Sequence, residues 1–306
     1  MTTVAESNRP IFIVGVARSG TTLARTILQH SGQVAIAAEN HFVGHVQGRR
    51  SVRDELHRVG DLSDDATLRR IVELIYSGEL ARRIGQEPYF AWLVKAVDRT
   101  RFEERLLAAE RSDRGIFKLM LDLYAESKGM ARSGEKTPAH VRQVDTLLEW
   151  FPDARVVHMV RDPRAIYVSE LRRRREHNVR RSYRLLTRIP AAYALYVMLK
   201  TTVLWADAAD LDASYAQRYP DQYRRQRFED LVQHPEEQIT DLFDFLGLEV
   251  TPGSLDQKVV SVGFNVGRQG FDAEAATRWR GQISAVPSRF LAATLGARMR
   301  RMGCES

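Results

Sequence analysis

The sequence predicts an α/β fold, a central parallel sheet flanked by helices and carrying a helical insertion, and two strand–turn–helix units are the basis for it. Ile11, Phe12, Ile13, Val14 and Val16 form a short run rich in β-branched residues, the pattern of a parallel strand buried on both faces. The run passes through Gly15 into Thr21, Thr22, Leu23, Ala24 and Ile27, which read as the start of a helix. The same order returns at 154–160 (ARVVHMV), followed by Arg161-Asp162-Pro163-Arg164 and a helix from Ala165 to about Glu176. A third observation is the absence of any repeat or low-complexity linker. A single domain over residues 1–306 is therefore expected, with 1–9 as a flexible lead-in.

Residues 33–38 (QVAIAA) offer a second short strand that ends at Glu39. An acidic residue at the carboxyl end of a strand in an open parallel sheet lies on the edge where ligands bind. Taken alone, Glu39 also reads as a solvated loop glutamate. His41 and His45 follow closely, but with no third ligand nearby they read as polar or substrate-lining residues rather than a metal site. From His41 onward, charge clusters alternate with helical apolar stripes such as Leu68, Ile71, Val72 and Ile75, then Phe102, Leu106, Leu107 and Ala109. This predicts a helical insertion over 41–133, placed to shape the acceptor site. Within it, Ile116–Leu123 is either a strand or the end of a helix.

At Gly134–His140 (GEKTPAH) the chain reads as a loop, with Thr137 and Pro138 opening a helix. Lys136 then projects from that loop, and by itself it is an exposed lysine beside a cap. In the helix after 154–160, Ser169 and Arg173 share a face while Arg161 anchors the turn below. Hydroxyl plus guanidinium groups of this kind suit a phosphate. The window 189–205 is interrupted by Lys200 and too short and polar to span a bilayer, so it is expected as a buried helix within Pro190–Tyr215. Tyr223–Leu231 reads as a last core strand or its approach, and a helix through Ile239, Leu242 and Phe245 stops at Gly247. The glycine-rich stretch 261–270 marks a close backbone approach or a lid.

The 44% apolar content is ample for a core, and the net charge of +7 points to an anionic partner without choosing among nucleotide, acidic substrate, membrane surface and nucleic acid. Arginines 172–175, 180, 181 and 184 lack the aromatic array of a nucleic-acid surface. Cys304 is the only cysteine, which excludes an intrachain disulfide or a cysteine metal site. The N-terminus lacks an apolar signal core, and a cytoplasmic location is the expectation.

The loop after the first strand carries the chemistry. Backbone amides at 19–22 should sit at a helix N-terminus, where unpaired N–H groups and the helix dipole converge on an anion. Its spacing approaches the nucleoside-triphosphate loop G-x-x-x-x-G-K-[ST], but Thr21 stands in the lysine position and the positive charge has moved to Arg18. A chain without that lysine is poorly built for ATP hydrolysis.

Arg18-Ser19-Gly20-Thr21-Thr22 resembles the 5′-phosphosulfate loop of sulfotransferases that use 3′-phosphoadenosine 5′-phosphosulfate (PAPS). The motif style is closest to the tyrosylprotein type, and the resemblance covers Pro10–Glu39 and Gly134 to about Arg280. It implies a three-layer P-loop-type domain, PAPS as co-substrate, no metal, and a hydroxyl-bearing acceptor that is a small molecule, glycan, lipid or peptide. By the same resemblance, Arg18, Ser19, Gly20, Thr21 and Thr22 bind the 5′-phosphosulfate. Arg161 and Ser169, eight positions apart, bind the 3′-phosphate, and Arg173 and Arg278 match further basic positions. Glu39 falls where the catalytic base stands, and Lys136 and Arg18 complete the catalytic set. Phe228 departs from the family's Tyr-Glu-Asp-Leu stretch, so any hydrogen bond from that hydroxyl is lost. A small-molecule kinase of the same fold and a non-catalytic polyanion-binding protein are the alternatives.

Overall fold

The structure is a computed structural model that describes residues 9–44, 50–84, 90–176, 188–255 and 270–304, the side chains of 173–176 excepted. His45, Arg180, Arg181, Arg184 and 261–269 lie outside the described residues, as does the side chain of Arg173. The chain opens with β1 (Ile11–Gly15), α1 (Thr21–His30) and β2 (Val34–Ala37). Helices α2 (Val52–Val59), α3 (Asp65–Tyr76), α4 (Glu79–Ile84), α5 (Ala91–Ala96), α6 (Arg99–Ala108) and α7 (Asp113–Ser127) follow. Next come β3 (Arg132–Lys136), a 3-10 turn (Pro138–Gln143) leading into α8 (Val144–Trp150), β4 (Arg155–Val160) and α9 (Pro163–Glu176). The remainder is α10 (Pro190–Arg218), β5 (Tyr223–Arg227), α11 (Phe228–Gln233), α12 (Pro235–Leu246), α13 (Pro252–Leu255) and α14 (Ala285–Arg301). The strands form one five-stranded sheet in the order β2-β3-β1-β4-β5, the central parallel sheet flanked by helices that the sequence predicts.

One compact unit consists of Met1–Val14 and Gly32–Val156. At its centre β3 pairs in parallel with β1 and with β2, and Gly134 lies opposite both Ile11 and Ile36. This strand corrects the expectation of a loop around Lys136 and a helical insertion reaching 133. Arg-Ser-Gly-Glu-Lys has no apolar residue to announce a strand, yet all five positions are buried. Three of its four polar side chains have compensating partners: Arg132 Nε donates to the Arg9 carbonyl at 2.8 Å, and Glu135 and Lys136 are treated below. Gly134 is obligatory, because a Cβ there would lie 2.4 Å from the Ile11 carbonyl oxygen.

The helices before β3 are set by their caps. Ser51 closes a capping box with Asp54, and Asp64, Asp98 and Ser112 each accept an amide of the first turn that follows. Ile116–Leu123, open between strand and helix from sequence, lies inside α7. Phe117 of α7 stacks on Phe42 with ring centroids 4.7 Å apart, and Tyr124 and Ala125 pack with Ala35 and Ala37 of β2.

The second unit consists of Gly15–Ser31 and Val157–Ser306. Its long helix α10 buries Tyr193, Val197, Thr201 and Trp205. The expectation of a buried helix holds for that face alone: Leu195, Leu199 and Val203 are 52%, 48% and 62% exposed. Recurrence every four residues aligns them on the opposite side of the helix. Among the described residues no helix is long and apolar enough to cross a membrane. The strand anticipated over Tyr223–Leu231 ends at Arg227, and Phe228 opens α11 with Glu229 and Asp230 in its first turn, where carboxylates favour a helix start. Gly247 ends α12 in the left-handed conformation, φ 64°, as its sequence position suggests.

Candidate active site

Two clusters hold most of the sequence-predicted site residues, one in each unit. In the second unit the loop 15–20 turns out of β1 into α1. Gly15 has φ 146°, and a Cβ on it would meet the Met159 carbonyl oxygen at 2.5 Å. Gly20 is the N-cap of α1 with φ 99°, and no side chain caps the helix. The first-turn amides are thus left to whatever occupies the loop. Ser19 is 1% exposed, and its Oγ has no hydrogen-bond partner among the described residues. Arg18 sits at φ 76°, an uncommon conformation for a residue with a Cβ and the kind of strain that gathers at ligand sites.

Residues predicted to hold the two ends of a nucleotide meet around this loop. Arg18 Nε donates to Ser169 Oγ at 3.0 Å, while Arg161 Nη1 donates to the Arg18 carbonyl at 3.3 Å and Nη2 to the Ala275 carbonyl at 3.0 Å. The Arg161 guanidinium lies over the Phe228 ring, 4.0 Å from its centroid, a cation–π contact. Burial, partly offset by the Glu229 carboxylate and reinforced by the Arg18 charge, lowers Arg161 to about 10. Arg161 Nε is buried without a partner among the described residues. A desolvated guanidinium with an unused N–H, beside a buried unused hydroxyl, is a site built for an anion.

Phe228 also fixes the loop sterically: a Cβ on Gly20 would come 2.6 Å from its Cδ2. Gly20→Ala should therefore destabilise the chain by about 1–3 kcal/mol through backbone strain and overpacking, measured by urea denaturation. Arg278, expected among the donor-binding residues, is ion-paired with Asp272 at 2.7 Å and Glu274 at 3.2 Å. Thr21 is buried and Thr22 exposed at the start of α1.

In the first unit, Glu39 follows β2 and Lys136 ends β3. Lys136 Nζ donates to Glu39 Oε1 at 2.7 Å, and His41 Nε2 is 3.6 Å from Glu39 Oε2. The Lys136 side chain is 8% exposed and that of Glu39 43%, so the carboxylate has an open side while the lysine does not. Burial alone raises the Glu39 carboxyl. The hydrogen bond from His41 and the charge and hydrogen bond of Lys136 outweigh it and bring the group down to about 2. Among the described residues no group of three His, Cys, Asp or Glu side chains could hold a metal ion.

A family model described as Sulfotransferase family matches residues 10–252. The chain belongs to the sulfotransferase family. A curated relative, omega-hydroxy-beta-dihydromenaquinone-9 sulfotransferase Stf3 of Mycobacterium bovis, is 26% identical over 282 aligned positions, covering 78% of this chain and 63% of the relative. This sulfotransferase thus spans under two thirds of the length of the curated relatives it matches. Among solved structures, the sulfotransferase domain of the Synechococcus PCC 7002 olefin synthase superposes with a TM-score of 0.54 at 20% identity, covering 94% of both chains. The sulfotransferase domain from the curacin biosynthetic pathway gives 0.52 at 17% identity, covering 94% of this chain and 97% of that one. These two likenesses establish the fold.

Three features of the candidate site are not marked in the sequence. The Arg161–Phe228 stack joins residues 67 positions apart in sequence, so no local pattern marks it. His41, set aside as a metal ligand, lies beside Glu39. Glu135 and His140 form a fully buried pair behind Lys136, inside the GEKTPAH stretch where the sequence points only to the lysine and the Thr137-Pro138 helix start.

Proposed function

We propose that this sulfotransferase moves the sulfuryl group of PAPS to an acceptor hydroxyl, with Glu39 as general base. The observation that carries the donor is the loop: uncapped amides of α1, the orphan hydroxyl of Ser19 and the buried, under-satisfied Arg161 converge where Arg18, rather than a lysine after Gly20, supplies charge. These groups fit a nucleotide bearing phosphates at both ends. Arg18, Ser19, Gly20, Thr21 and Thr22 take the 5′-phosphosulfate, and Arg161 and Ser169 take the 3′-phosphate, with Arg173 and Arg278 as further basic groups.

In the reaction the acceptor oxygen forms a bond to sulfur as the bond from sulfur to the bridging oxygen breaks. 3′-Phosphoadenosine 5′-phosphate leaves, and the acceptor proton passes to Glu39. A carboxylate held near 2 is a weak base, since efficiency falls as the pKa drops below the working pH. Lys136 resolves this: charge growing on the bridging oxygen draws its ammonium away from Glu39. Burial then acts on a carboxylate with less compensation, and its proton affinity rises as the proton must be taken. Arg18 and Lys136 stabilise the developing charge, and holding donor and acceptor together supplies much of the remaining acceleration.

For the acceptor, the named substrate of the mycobacterial relative is a hydroxylated menaquinone, which supports a hydroxyl-bearing small molecule. Transfer of label from PAPS across a panel of phenols, sugars, isoprenoid alcohols and tyrosyl peptides identifies the class. The donor is tested by thermal shift. At 100 times its Kd, 3′-phosphoadenosine 5′-phosphate should stabilise the chain by about 2.7 kcal/mol, with ATP–magnesium doing less. Stabilisation by ATP–magnesium alone would overturn the donor assignment in favour of a kinase, and an equal response to any polyanion would leave only a binding protein.

A further inference from the structure

Behind Lys136 lies a polar cluster that the transfer chemistry does not use. Glu135, the residue before it in β3, is 0% exposed, as are Thr137 and His140. Glu135 Oε1 pairs with His140 Nδ1 at 2.5 Å, and Glu135 Oε2 accepts from Thr137 Oγ1 at 2.7 Å. Both partners then reach the same short segment, 97 residues earlier in the chain. Thr137 Oγ1 accepts from the Asn40 amide at 3.1 Å, and His140 Nε2 accepts from the Val43 amide at 3.4 Å. Within that segment Asn40 Oδ1 accepts from the Phe42 amide at 2.9 Å. These directions define the tautomer: with Nε2 accepting, the ring proton is on Nδ1 and faces Glu135. Both carboxylate oxygens, the threonine hydroxyl and both ring nitrogens are thereby engaged.

The pinned segment begins immediately after Glu39 and contains His41, whose φ of 45° is positive. Such a conformation persists only where the surroundings over-determine it, and here the surroundings are this cluster. Burying an ionisable pair is an inefficient way to gain stability, because apolar residues of the same volume commonly do as well or better. Its distinctive product is geometric. It locks the residue after Glu39 to the residue after Lys136, and with them the strained turn that aims His41 at the Glu39 carboxylate.

We propose that Glu135, Thr137 and His140 are positioning residues for the Glu39–Lys136 pair, with Glu135 as the anchor and the Thr137 hydroxyl as its link to the Asn40 amide. The cluster touches neither donor nor acceptor and acts through the placement of Glu39. Its relevance to turnover rests on the reading of Glu39 as the base.

Thr137→Val keeps the shape of the side chain and removes the link. The readout is the carboxyl carbon resonance of Glu39, identified by its loss in Glu39→Gln, followed from pH 7 down to pH 4. In the parent chain the group titrates near 2, so the resonance should stay flat over this range. In Thr137→Val, separated from Lys136 and His41, it should move with a midpoint at about 4.5 or above, the ordinary carboxylate range or higher. Thr137→Ser should restore the flat profile. Stabilisation by 3′-phosphoadenosine 5′-phosphate should be unchanged in both variants, which reports that they are folded. If Thr137→Val does not fold, Thr137→Ala, which adds no bulk, is read in the same way. A folded valine or alanine variant with a flat Glu39 profile would overturn the proposal. Because the resonance does not depend on catalysis, this failure is separate from the failure of the base assignment, which would show as undiminished transfer by Glu39→Gln.

Discussion

Glu39→Gln should lower kcat by about 10² to 10⁴-fold with donor and acceptor saturating, the usual contribution of a positioned base. The substitution keeps the size of the side chain and an oxygen that can accept from Lys136, so the 2.7 Å contact has a neutral substitute. The proton acceptor is what disappears. KM for PAPS should change little, because the loop proposed to carry the donor, residues 15–22, contains none of the altered atoms. Retention of near-parental turnover on the best acceptor of the panel would remove Glu39 from the role of base and leave the donor assignment standing.

Lys136→Met should have an effect of similar size by a different route, a loss of about 10² to 10³-fold in kcat of the kind seen when one preorganised donor to a developing oxyanion is removed. It also carries a signature in pH that Glu39→Gln cannot show. In the parent chain the Glu39 carboxyl is lowered from 4.5 to about 2, with burial opposing and His41 and Lys136 prevailing. The sign follows from the depressed value: this group's contribution to stability is fully present above the unfolded value of 4.5 and is lost as pH falls toward 2. Methionine removes the lysine's share and leaves burial less opposed, so the folded carboxyl rises and the contribution shrinks or changes sign. Urea denaturation at pH 6 and pH 4 should therefore show a larger loss attributable to Glu39 in the parent than in Lys136→Met, where the loss shrinks or becomes a gain. Equal losses would mean that Lys136 does not govern the carboxylate.

What could be read from the sequence depended on where the energy of each element comes from. β1 and β4 are legible because their β-branched apolar runs are the cause of their burial, and the turns after them are legible because Gly15 and the Asp162-Pro163 pair act locally. β3 is not legible, because Arg132, Glu135 and Lys136 are buried with partners at positions 9, 39, 137 and 140. No window of five residues contains that information. The candidate site divides in the same way. Loop residues 18–22 are marked by their place after a strand, whereas Glu39, ambiguous by position, is singled out as a base only by the family resemblance. The cluster behind Lys136 and the stack of Arg161 on Phe228 required the tertiary structure. The ion pairs of Arg278 with Asp272 and Glu274 likewise needed the structure.

The polar character of β3 constrains how this protein can be engineered. A strand in the middle of a sheet is ordinarily the first place to gain robustness, by exchanging weak strand formers for valine or isoleucine. Here Gly134 admits no Cβ, Glu135 holds the turn after the proposed base, and Lys136 is the proposed electrophilic partner. An exchange at Gly134 would clash with β1, and one at Glu135 or Lys136 would trade turnover for melting temperature at the same residue. Thermostable variants of this enzyme should therefore be sought elsewhere, for instance along the exposed apolar side of α10, where Leu195, Leu199 and Val203 can be made polar without reaching any group assigned to the reaction.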